Sequence, residues 1–210
     1  MLEFIKRYRV PGVISILVLA LLSLEPLSTQ WFAYQRQAVG DGQIWRFLSA
    51  NLVHLSLWHT LMNLASLWLI SLIFRPLLSV IDWVLWFIFL YLANTLGMHF
   101  WLPELYQYVG MSGALYGLIA ACCVAELRLG VKLSGLLLLL VGLKIFAPQI
   151  LGIKSEYDSW LGGFVVEESH IIGYLQGIIL GLVWPKTRLN QPGLGELIGA
   201  KKADDTAKSD

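Results

Sequence analysis

The sequence predicts an all-α membrane protein, a single-domain bundle of six transmembrane helices. Three observations carry that prediction. Of the 210 residues 57% are hydrophobic and only 14% charged, and the mean hydropathy is +0.68, more apolar than a soluble domain of this length tolerates. The apolar residues also fall into six runs, at about 10–27, 57–78, 80–101, 112–129, 132–151 and 168–185, each close to the roughly 20 residues a spanning helix needs. Finally, the runs are continuous and lack the polar/apolar alternation of a membrane β-barrel.

Taken in order, the first run follows Lys6, Arg7 and Arg9. It resembles a signal peptide, but no small-x-small cleavage site precedes Trp31, so it is expected to remain as a span. Pro26 and the polar stretch from Ser28 to Gln43 form the longest outer loop. Trp31, Phe32, Trp45, Trp101, Tyr106, Tyr108 and Trp160 fall where an interfacial aromatic belt belongs. Of the 15 Lys and Arg, only Arg36, Arg46 and Lys154 lie on the outer side and Lys144 within a span. The excess on the other side places both termini in the cytoplasm. Residues 1–189 are expected to form the membrane domain and 190–210, which are polar, a disordered cytoplasmic tail. Cys122 and Cys123 are adjacent inside a span, which suits neither a disulfide framework nor a zinc site. No metal or organic cofactor and no nucleic-acid partner is expected.

Three polar clusters interrupt the apolar text: His54, His59 and Asn63; Gly110-Met111-Ser112-Gly113; and His170. Such groups are costly in hydrocarbon unless they meet one another, so they mark a candidate site. In the orientation above, the second, fourth and sixth helices all begin at the outer face, which brings the clusters to one depth. Gly113, Gly117 and Ala121 on the fourth helix and Gly173, Gly177 and Gly181 on the sixth form two stripes of small residues that permit close approach. If the stripes face each other, Ser112 and His170 come within hydrogen-bond reach, and an imidazole is the natural base for a hydroxyl nucleophile near neutral pH. His59 and Asn63, four apart on one helix face, can donate toward an oxyanion, as can the free N–H groups at the start of the fourth helix. Tyr116, one turn after Ser112, can pack on the imidazole. Singly, each residue has a plainer role, Ser112 in packing and the His and Asn residues as interhelical glue. His99 is expected to be interfacial, with no part in the site. A transporter would show broken helices near the midplane and internal repeats, whereas the polar groups here cluster toward one face and no repeat is evident.

On these residues the chain resembles the rhomboid intramembrane serine proteases across essentially all six helices. The matching text is Trp45-Arg46, then His54-Leu-Ser-Leu-Trp-His59-Thr-Leu-Met-Asn63, then Gly110-Met-Ser112-Gly113-Ala-Leu-Tyr116, then His170-Ile-Ile-Gly173. The resemblance implies Ser112 as nucleophile, His170 as base, and an oxyanion hole from His59, Asn63 and the Ser112 N–H with His54 in support. It implies membrane-anchored protein substrates cut near the outer face of the membrane, and a place in the bacterial inner membrane. Ser169 stands where the family commonly has Ala, and no loss of activity is expected from that difference. The compact size, Lys144 and the Val166-Glu167-Glu168-Ser169-His170 approach are similar to the rhombosortase subgroup, which would imply substrates with a C-terminal Gly-Gly anchor. The alternative is a catalytically silent rhomboid-like protein that binds transmembrane clients. The outer ends of the second and fifth helices form the expected gate. The loop from Lys154 to Phe164, with Gly162-Gly163 as hinge, forms the expected cap. Its charges Glu156 and Asp158, with Glu167 and Glu168, could favour a basic partner, although the usual meaning of such a cluster is a solvated loop.

Overall fold

The computed structural model describes residues 8–153, 161–163 and 165–193. Six long helices occupy the six apolar runs: α1 (Arg9–Ser23), α5 (Leu57–Phe74), α6 (Val80–Trp101), α7 (Ser112–Arg128), α8 (Lys132–Ile150) and α9 (Glu167–Val183). The segment expected as the long outer loop is itself folded. It holds three short helices, α2 (Leu27–Phe32), α3 (Arg36–Gly40) and α4 (Arg46–Ser49). A two-residue strand β1 (Tyr34–Gln35) pairs antiparallel with β2 (Gln107–Tyr108). By length and composition, Leu57–Leu77, Val80–Trp101 and Lys132–Ile150 can cross a membrane, while α1 is apolar but shorter. The other two long helices, α7 and α9, have 17 residues each.

Local chemistry sets several of the ends. Ser56 caps α5 by accepting the His59 N–H, and Ser79 caps α6 by accepting that of Asp82. Asp82 also pairs with Arg188, so the start of α6 is tied to the turn that follows α9. After α7 the chain turns at Gly130, whose φ of +94° is the left-handed conformation common just past a helix C-terminus. Glu126, fully buried near that end, accepts a hydrogen bond from Ser134 of α8.

At the centre is α7, buried at most of its positions. It runs parallel to α9 in a fixed register. A methyl group added at Gly173 would overlap the Gly113 carbonyl, one at Gly177 the Gly117 carbonyl, and one at Gly181 the Ala121 carbonyl. The predicted stripes therefore do meet backbone to backbone. Arg128 locks the end of this pair remote from Ser112 by donating to the carbonyls of Gly181 and Trp184 at 2.7 Å each, a cation satisfying the open C-terminal end of α9. On a second side of α9, Gly97 of α6 admits Ile172 and Gln176, and the Gln176 amide donates to Ala93 O at 2.8 Å. α1 is joined to α5 by Trp68 Nε1 donating to Ser15 Oγ at 3.0 Å.

Two arginines of the segment before α5 serve as clamps. Arg36 donates to the carbonyls of His99, Leu102 and Leu105, closing the end of α6. Buried Arg46 donates to Ala33 O, Gln30 O and Gln43 Oε1. On the opposite side, Leu78 and Leu189 form a bridge, Asn190 N–H donates to Leu77 O at 2.8 Å, and Gly193 lies against Ile73 and Phe74. The first residues of the segment expected as a tail are thus docked on the bundle. Its remainder lies outside the described residues, as do Lys154, Glu156, Asp158 and Trp160 of the expected cap.

Gly177→Val should destabilise the bundle by about 1–3 kcal/mol through overpacking. Gly12→Ala, where nothing lies within 4 Å of the added carbon, should leave stability unchanged or slightly raised. Thermal unfolding of the purified protein in detergent checks both.

Candidate active site

Ser112 is the first residue of α7 and His170 the fourth of α9. Because the two helices are parallel and in backbone contact, these residues come together at the same end of the bundle. Ser112 Oγ and His170 Nε2 are 2.9 Å apart, a hydrogen bond. The Tyr116 ring packs on the imidazole with centroids 4.6 Å apart. Among the described residues nothing bonds the other His170 nitrogen, so the ring is held by the Ser112 bond and the Tyr116 packing together.

The turn before Ser112 depends on Gly110, whose φ of +107° disfavours any side chain. Its N–H donates to Ala50 O at 3.0 Å. Space is equally restrictive, since a Cβ there would lie 2.8 Å from both Cε1 and Nε2 of His59. His59 of α5 therefore lies directly over the turn that leads into Ser112. Its Nδ1 is buried with no partner among the described residues. Asn63, one turn on, lines the same space, and its amide donates to His59 O at 2.9 Å. The His54 ring meets that of His59 edge to face at 4.9 Å. Burial, with His59 adding to it, pushes the His54 imidazole down to about 3, so it is a neutral buttress at physiological pH. The first N–H groups of α7 add donors and a positive dipole end beside the hydroxyl.

Two cavities meet at Ser112. One of about 240 Å³ is lined by His59, Tyr108, Ser112, Val166 and Ser169. The other, about 420 Å³, extends between α5 and α8 past Asn63, Tyr116, Lys144 and His170. Of the expected cap, Leu161 lines both cavities. Gly162 is at φ +80° with its Cα side 3.3 Å from Leu55 O, measured from an added Cβ.

All six residues singled out in the sequence, His54, His59, Asn63, Ser112, Tyr116 and His170, thus fall in one cluster. His99 does not. It bonds Tyr34 OH through Nδ1 at 2.8 Å, beside β1. Tyr108, counted above with the interfacial aromatics, is instead buried beneath the Gly110 turn. Its hydroxyl donates to Gly110 O at 2.8 Å, with the Asn94 amide 3.5 Å away. Burial pushes its phenol up to about 12, so it stays a neutral donor. No periodicity marks this residue, because β2 is only two residues long. Ser169 is buried against α7, its hydroxyl on the side facing the Tyr108 phenol. Among the described residues no three of His, Cys, Asp and Glu converge as metal ligands would.

These features define a helical membrane protein with a hydroxyl–imidazole pair set at the joined ends of two helices. The rhomboid domain profile matches residues 41–187, which is most of the chain and spans every site residue, and the chain belongs to the rhomboid family. No curated protein matches it.

Gly110→Val should displace His59 and strain the turn. The expected result is a stability loss of about 1–3 kcal/mol together with a shift of the His59 ring resonances, followed by NMR of histidine-labelled protein in micelles.

Proposed function

We propose that the protein is an intramembrane serine endopeptidase that crosses the membrane six times with both termini in the cytoplasm. It would cut membrane-anchored protein substrates near the outer face of a bacterial inner membrane. The observation that carries this reading is the 2.9 Å contact between Ser112 Oγ and His170 Nε2 where two cavities meet. A serine hydroxyl becomes a competent nucleophile when a neighbouring base takes its proton. His170 takes that proton as Ser112 Oγ attacks the substrate carbonyl carbon, and returns it to the leaving amine as the peptide bond breaks. Water then enters by the same base catalysis and hydrolyses the acyl-serine, releasing the new carboxylate and restoring Ser112. The developing oxyanion is met by the Ser112 N–H, His59 and Asn63. For Asn63 this requires its amide to turn from His59 O, a short rotation within the same cavity.

The substrate must reach this site unwound, because a helical amide in the bilayer is already bonded within its own segment. The larger cavity between α5 and α8 is a path for such a segment, and the smaller one a path for water. Lys144 and the Glu167-Glu168 approach to His170 support the narrower reading that some substrates carry a C-terminal Gly-Gly anchor, as for rhombosortases.

A fluorophosphonate probe should label the wild-type protein at Ser112. Ser112→Ala should abolish both labelling and cleavage of a single-span reporter in proteoliposomes, and His170→Ala should abolish labelling. His59→Ala and Asn63→Ala should each lower kcat by about 10²–10³. Reporter bound but left intact by folded wild-type protein, with no labelling, would overturn the proteolytic reading in favour of a silent client-binding protein.

A further inference from the structure

Lys144 is the one spanning-helix cation that lines the larger cavity. It stands on α8, 3 residues after Val141, which lines the same space. Its ammonium lies 5.4 Å from the centre of the Tyr116 ring, and the same ring packs on His170 at 4.6 Å. A cation, an aromatic ring and the imidazole therefore form one continuous stack ending at Ser112. The rest of the gap is largely apolar, with Met62, Leu69, Leu115 and Ile119 among its walls. Among the described residues no carboxylate pairs with Lys144.

We infer that Lys144 selects substrates bearing an acidic side chain on the membrane-embedded side of the scissile bond. This rests on the proteolytic reading above and names its substrate class. A segment entering between α5 and α8 strips water from the ammonium. A neutral or basic segment leaves that charge unpaired in an apolar gap, which is costly. An Asp or Glu pairs it, and the Tyr116 face holds the ammonium in place for the encounter. Tyr116 lies one helical turn below Ser112, about 6 Å along α7. At about 3.3 Å per residue of extended chain, the selected position is about two to four residues from the cut once the reach of the lysine is included. For a substrate whose N-terminal part is outside, it lies on the C-terminal side.

The test uses full-length protein in phosphatidylcholine vesicles, whose lipid carries no net charge. Its substrates are single-span reporters with a Gly-Ala cleavage region and Asp, Asn or Lys placed at each of the second to fourth positions beyond it. Wild-type protein should cut the Asp reporter with kcat/KM at least about fivefold above its Asn counterpart at one of those positions, the preference expected of one partly desolvated charge pair. In Lys144→Gln that ratio should fall to about one. In Lys144→Glu it should invert, with the Lys reporter now preferred. Because each readout is a ratio within one variant, lower yields of folded protein leave it unaffected. Equal ratios in wild type and both variants, with cleavage still lost in Ser112→Ala, would overturn the role of Lys144 alone. Absence of any Ser112-dependent cleavage would overturn the proteolytic reading and this inference with it.

Discussion

The backbone contact between α7 and α9 is the constraint on which the rest of the structure depends. Within a bilayer, apolar surface gives two helices no reason to prefer each other over lipid, so close van der Waals fit has to do it. Gly113, Gly117 and Ala121 face Gly173, Gly177 and Gly181 at a constant offset of sixty residues, and every added carbon on α9 would overlap a carbonyl of α7. The register is thus set at three successive turns, and Arg128 sets it again at the far end through the α9 carbonyls. With no freedom to slide, the Ser112–His170 distance becomes a property of the helix pair rather than of the two side chains. A hydrogen bond of 2.9 Å then costs little side-chain ordering beyond what packing already imposes.

The third wall of the site follows a different logic. His59 is brought in by α5, which is not part of the glycine seam, and what positions it is the absence of a side chain at Gly110. That turn is in turn held from outside the bundle. Ala50 accepts the Gly110 N–H, Tyr108 bonds the Gly110 carbonyl, and the β1–β2 pair joins this segment to the folded outer loop. Arg36 and Arg46 fasten that loop through backbone carbonyls. The short helices α2, α3 and α4 are therefore a brace for the site.

The six helices and the site cluster were legible in the sequence because both rest on side-chain type at regular spacing. A four-residue repeat of Gly and Ala shows which helices can touch, and the cost of imidazole and carboxamide in lipid shows which residues must converge. The outer loop was not legible in the same way. A two-residue ladder has no period, and the arginine clamps act on carbonyls, which every residue carries. Tyr108 looked like any interfacial aromatic because its role comes from one bond to a turn two residues away. Asn63 shows the other limit. Its place on the His59 face was readable from spacing, but its bond to His59 O is a conformational choice that composition cannot encode. The family match across residues 41–187 agrees with the coarse pattern while leaving such choices to geometry.

The helices are unequally buried in the bundle. In α6, 44% of the spanning window is buried inside the protein, against 17% for α8. The buried residues of α8, Ser134, Gly142 and Ile145, run from its first turn to past its middle. Its side-chain and carbonyl bonds lie along the same stretch: Ser134 to Glu126 near the start, Leu138 O from Tyr174 at 2.8 Å in the middle. Toward the outer end, an exposed bond from Gln149 to Glu167 at 2.7 Å remains, of the kind worth little in water. Among the described residues, then, α8 is joined to its neighbours by buried or half-buried hydrogen bonds only through its first half. Past Gly142 the helix is held by packing instead, with Ile145 and Phe146 against Tyr174 and Lys144 against the Tyr116 ring, so the α8 wall of the larger cavity is set by side-chain fit rather than by hydrogen bonds.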